Sequence, residues 1–161
     1  MDSSQSSAAG FASIELIEQA ICATNLKEFA ESSTLITQED FDQLQKSWCH
    51  TLIHFFCDIN NCSYGRAAKI VAIYLKTSVV LPEKCTSQRY SFIHPPIDNR
   101  VLTSLSKKEG LEKLKKETWT KFDEEKYWYI VQKVRSVCNF FHWGIESGWT
   151  PSEAEGEEVF E

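Results

Sequence analysis

Six apolar side chains, Phe41, Leu44, Trp48, Leu52, Phe55 and Ile59, follow one another at intervals of three, four, four, three and four residues. At 100° per residue they form one stripe along a helix of about five turns. Thr37-Gln38-Glu39-Asp40 stands just ahead of the stripe. The Thr37 hydroxyl can accept from the backbone N–H three residues on, and a carboxylate at Asp40 suits the positive helix end. Asn60-Asn61 closes the segment. A chain whose strongest periodicity is helical over such a length is expected to fold by packing helix on helix.

The remainder repeats the helical period. Ile14, Ile17 and Ile21 recur at helical spacing with Leu26 and Phe29 beyond them, before a polar break at Glu31-Ser32-Ser33-Thr34. A helix is expected from Ser63 to Lys76, with Ala67, Ile70, Val71, Tyr74 and Leu75 inward. Residues 82–94 read as a long loop, a feature associated with binding or active sites. Pro95-Pro96 is expected to open a helix over 96–106, since proline fits the first helical turn. A short helix is expected over 111–117, and Asp123 is placed to cap a last helix over 124–146. The expected architecture is an all-α, single-domain bundle of five or six helices over 11–150. A flexible Ser-rich segment over 1–10 precedes it, and a disordered acidic tail over 151–161 follows.

Composition supports this reading. Hydrophobic residues make up 42% of the 161, enough for a core, and no apolar run is long enough to span a membrane. Residues 1–7 have neither the basic nor the apolar region of a signal peptide. The six cysteines lie at long, irregular spacings without a CxxC pair, so free thiols in a reducing, cytoplasmic setting are expected.

The net charge of −6 conceals a segregation. Residues 1–65 are net −7, residues 66–135 are net +7, and residues 136–161 are net −6. The basic centre is either a solvated face balanced by the acidic flanks or a surface for an anion such as nucleic acid. Lys115, Lys116 and Lys121 interleave with Trp119 and Phe122, a pattern that can neutralise phosphates while stacking bases.

Within that centre, Gly65-Arg66-Ala67-Ala68-Lys69 opens one helix, and His94-Pro95-Pro96-Ile97-Asp98-Asn99-Arg100-Val101 sets a carboxylate at the start of another. Over about 45 of the 161 residues, these two strings resemble the core of the helix-hairpin-helix DNA glycosylase superfamily. The resemblance implies base excision with Asp98 as the catalytic carboxylate, Lys69 and His94 beside it, and backbone binding by Gly65, Arg66 and Arg100. The chain departs from that pattern at the hairpin, which reads Cys62-Ser63-Tyr64-Gly65 without the other glycines. It departs again at Ala67, where some members carry lysine; Lys69 is about 200° further round the helix. The same strings, followed by Trp119 and Tyr127, look like a group of small bacterial and phage proteins, a likeness that implies no activity.

Read as residues alone, Asp98 is equally a helix-capping carboxylate, His94 a loop histidine bonded to its surroundings, and Arg66 and Lys69 surface cations. His50, His54 and Cys57 share a helix face, but the spacing falls short of a zinc motif and no metal is expected. No phosphate-loop, dinucleotide, serine-elbow or metalloprotease motif occurs, and no cofactor is expected. Two functions therefore stand as expectations. One is a DNA-interacting, glycosylase-like helical protein, and the other a non-enzymatic helical module for a protein partner. Neither calls for a membrane.

Overall fold

The computed structural model describes residues 11–83 and 88–137. The expectations for 1–10, for the 151–161 tail and for the last helix beyond Val137 lie outside the described residues.

Every regular element among the described residues is helical: α1 (Ile14–Cys22), α2 (Leu26–Glu31), α3 (Gln38–Phe56), α4 (Tyr64–Leu75), α5 (Asn99–Leu105) and α6 (Glu124–Val137). A π-helical stretch at Lys76–Val80 and one more helical turn at Leu81–Glu83 prolong α4. Short 3-10 turns occupy Gln88–Ser91, Glu112–Lys116 and Trp119–Lys121. The all-α bundle of six helices matches the expectation.

Local chemistry sets most helix starts. Thr37 and Asp40 form a reciprocal capping box, with the Asp40 N–H donating to Thr37 Oγ1 at 3.1 Å and the Thr37 N–H donating to Asp40 Oδ2 at 3.1 Å. Ser13 caps α1 and Ser63 caps α4. Asp123 accepts from the Lys126 N–H at 2.8 Å, as expected for the start of α6.

Several boundaries differ from the sequence expectation. The apolar pattern over 14–29 is broken into α1 and α2 at Thr24, whose hydroxyl donates to the Ile21 carbonyl and accepts from the Leu26 N–H. The α3 stripe stops at Phe56, which leaves Ile59 half-exposed beyond the helix end. The second proline does not open α5, because Asp98 two residues later takes the capping position. The short helix expected over 111–117 is a 3-10 helix at Glu112–Lys116. The expected 82–94 loop retains a helical turn at its start and a 3-10 turn at 88–91, and its end carries the buried Ile93 and His94.

Helices α3 and α4, joined by the short 57–63 connection, pack side by side as a hairpin at the centre of the fold. Phe41, Trp48, Leu52 and Phe56 of α3 meet Ala67, Val71 and Leu75 of α4 in one core, which also receives Leu26, Ile93, Leu102, Tyr127 and Ile130. Burying each large apolar side chain contributes roughly 1.5–3 kcal/mol. The 3-10 turn at Trp119–Lys121 crosses the first turn of α4, where a side chain on Gly65 would strike the Trp119 carbonyl oxygen and lie 3.1 Å from Phe122 Cβ. Glycine is thus required at 65 for close approach of two backbones.

Candidate functional site

Lys69 and Asp98, 29 residues apart in sequence, are brought together. Asp98 is the N-cap of α5: its Oδ1 accepts from the Val101 N–H at 3.0 Å, while Oδ2 accepts from Lys69 Nζ at 3.3 Å. The same ammonium lies 4.4 Å from the centroid of the Trp119 ring, a cation–π contact. Lysine reaches this place because residue 69 lies on the flank of α4 rather than on the Ala67–Val71–Leu75 line that faces the core. The carboxylate therefore already holds a backbone donor and an ammonium.

His94 is elsewhere. It is buried, and its Nδ1 pairs with the Tyr127 hydroxyl at 2.7 Å. Arg135 Nη2 lies 3.4 Å from Nε2, and Phe41 and Trp128 approach the ring edge-on. Arg135 in turn grips Asp42 through both nitrogens, at 2.8 and 2.9 Å. The Asp42 carboxylate, 3.8 Å from Nε2, acts on the imidazole through its charge rather than through a hydrogen bond. Burial lowers the His94 pKa to about 4 against the opposing pull of Asp42, so the ring is neutral at pH 7. Burial alone would raise the Asp42 pKa, but the hydrogen bonds from Arg135, aided by His94, hold it well below the usual carboxylate range. Burial pushes the Tyr127 phenol well up. The partners of His94 in this network are Tyr127, Arg135 and Asp42.

The backbone N–H of Gly65 donates to the Phe122 carbonyl at 3.1 Å, and that of Arg66 to Ser63 Oγ at 3.2 Å. Both donors are thus engaged inside the fold. The Arg66 side chain donates to the Asn61 carbonyl and lies over the Phe11 ring at 5.2 Å. Arg100, Lys115, Lys116 and Lys121 are all exposed, on α5 and the two following 3-10 turns, and none of them lines the groove that Lys69 lines. His50 pairs with Glu124 at 2.6 Å rather than with His54 or Cys57, and no cluster of metal-ligating side chains occurs among the described residues. Cys49 and Cys62 are buried and free, and Cys22 and Cys57 are exposed and free. Burial holds the Cys49 thiol well above its ordinary pKa and pushes Cys62 up to about 11.

A groove of about 420 Å³ runs between α1 and α4. Phe11, Ile14, Ile17 and Ile21 form one wall, and Ile70, Ile73 and Tyr74 the other. Arg66, Lys69 and Trp119 gather at one end, while Thr77 stands at the other and Glu18 on the α1 rim. Its volume falls within the usual range of binding pockets. Ile14 is 67% exposed and Ile73 39%, so the trough is open to solvent along its lips. Sequence reasoning assigned Ile70 and Tyr74 to the core and passed over Ile73. The available signal was that α4 carries apolar residues on more of its circumference than one core-facing stripe needs.

No helix among the described residues is long and apolar enough to cross a membrane. No protein-family model, no curated protein and no solved structure matches the chain.

Proposed function

We propose that this chain is a non-catalytic helical interaction module that receives a protein partner in the α1–α4 groove. The observation that carries the reading is the groove itself: an apolar trough with a cationic end, walled by the exposed Ile14 and Ile73. A small ligand is usually buried over most of its surface, which an open trough does not provide, whereas a protein segment needs to bury only one face. The groups that would serve base excision are otherwise engaged. Asp98 caps α5 and pairs with Lys69, the Gly65 N–H is bonded to Phe122, and His94 is sealed in the core.

Two measurements test this. The anionic apolar dye ANS should bind the wild-type chain saturably and fail to bind Ile73→Asp; equal fluorescence from both proteins would overturn the reading. Duplex DNA carrying damaged bases should be released unchanged, whereas base release abolished by Asp98→Asn would replace the module with an enzyme.

A second reading rests on a separate observation. Arg100, Lys107, Lys108, Lys113, Lys115, Lys116 and Lys121 are all exposed within a single stretch of chain, with Glu109 and Glu112 as the exposed carboxylates among them. Such a stretch favours a polyanion backbone, and its binding to DNA should weaken steeply with salt. Affinity unchanged between low and moderate salt would dismiss it.

A further inference from the structure

The groove has a polarity that identifies its occupant. Its α4 wall runs from Arg66 to Thr77, which at 1.5 Å per residue is about 16 Å, or three helical turns. Both lining cations stand at the Arg66 end, where Lys69 is paired with Asp98 and Arg66 carries the uncompensated charge of the lining, and the far end at Ile73, Tyr74 and Thr77 is uncharged. The cationic end is also the N-terminal end of α4, where the helix dipole adds positive potential. Arg66 and Lys69 each retain donors beyond those committed to Asn61 and Asp98, because a guanidinium has five N–H groups and an ammonium three.

We infer that the occupant is an amphipathic helix of a partner protein, lying antiparallel to α4 and carrying a carboxylate in its last turn. This deepens the interaction-module reading and rests on it. The partner presents apolar side chains at i, i+3 or i+4, and i+7, which fill the trough between the α1 isoleucines and Ile70, Ile73 and Tyr74. Its C-terminal end, with unpaired carbonyls and the negative end of its dipole, meets Arg66 and Lys69. A parallel helix would bring its positive end to the same cations. Glu18 on the α1 rim favours a basic residue at the middle of the partner's exposed edge.

The test uses the full chain and three fluorescein-labelled amphipathic peptides of roughly 14 residues, matched in apolar pattern and differing only in charge placement. One carries glutamate in its last turn, one carries it in its first turn, and one carries lysine in its last turn. The first should bind the wild-type chain more tightly than either of the others by about two- to fivefold. That preference should disappear in Arg66→Gln, and binding itself should disappear in Ile73→Asp and, independently, in Ile14→Asp, with circular dichroism showing both still folded. Equal affinity for all three peptides would overturn the orientation. Failure of every peptide, with ANS still bound and displaced by none of the three, would overturn the helical occupant and leave the module reading intact. A concentration-dependent dimer in sedimentation that Ile73→Asp abolishes would assign the groove to a second copy of this chain and overturn the foreign partner.

Discussion

The cluster of Asp42, His94, Tyr127 and Arg135 contains the side chains usually sought at active sites, and its His94 and Tyr127 are buried while Asp42 and Arg135 are partly buried. The α1–α4 groove contains isoleucines, and it faces water. In the first region polar groups pair with one another, with Arg135 gripping Asp42 and Tyr127 meeting His94. Such a network favours one arrangement of the core, because leaving any member unpaired costs about 1–3 kcal/mol or more. In the second region apolar groups remain exposed, and covering them is the gain that binding can draw on. The contrast separates residue type from placement: here the reactive types pair with one another within the fold and the inert types line the recess open to solvent.

The strongest way to test the division is Gly65→Ala, at the crossing of α4 and the Trp119 turn. The added methyl lands on the Trp119 carbonyl oxygen, so a loss of roughly 3 kcal/mol or more is expected in urea denaturation. A phosphate-binding glycine on an open surface would tolerate alanine with little loss of stability.

His94→Ala should follow at about 3 kcal/mol, combining a cavity with an orphaned Tyr127 hydroxyl. The wild-type protein should also lose stability as pH falls. The folded pKa of His94 is about 4, below its unfolded value of about 6.5, so the unfolded chain binds more protons between these values. The contribution is fully present above about pH 6.5 and drains away toward pH 4, on the order of 3 kcal/mol in total. Below that window the depressed Asp42 pKa adds a further acid loss. His94→Ala should flatten the pH 4–6.5 slope; an unchanged slope would place the titration on another group.

Asp98→Ala should cost about 1 kcal/mol through the lost cap, with a further loss from leaving Lys69 without its carboxylate. Smallest of all, Ile73→Asp should leave stability within about 0.5 kcal/mol of wild type while removing groove binding. A large drop there would show that Ile73 belongs to the core and erase the distinction between the two regions.

What was legible in the chain was whatever is local. The capping box of Thr37 and Asp40, the Asp123 cap and the stripe from Phe41 to Leu52 need only neighbours within a few residues, and all appear as expected. The Asp42–Arg135 pair spans 93 residues and the His94–Tyr127 pair 33, and no periodicity encodes such meetings. The contacts of Trp128 are of the same kind: its indole donates to the Tyr64 hydroxyl, 64 residues away, and Lys46 lies over its ring. Lys69 and Asp98 were both legible as candidates, yet their pairing depends on how α5 docks against α4. The groove was hidden because the Ile14, Ile17, Ile21 and Ile70 pattern of an open groove wall is indistinguishable from that of a core wall until the covering element proves absent among the described residues.

The four described thiols give the molecule an internal clock. Alkylating reagents act on thiolates they can reach, so Cys22 and Cys57 should be modified at once in the folded chain, whereas Cys49 and Cys62 are both shielded and held protonated. Modification of Cys49 then requires the α3–α4 hairpin to part. Its rate, set against that of Cys62 near the connection, would report whether the bundle breathes from its hairpin end or opens only as a whole.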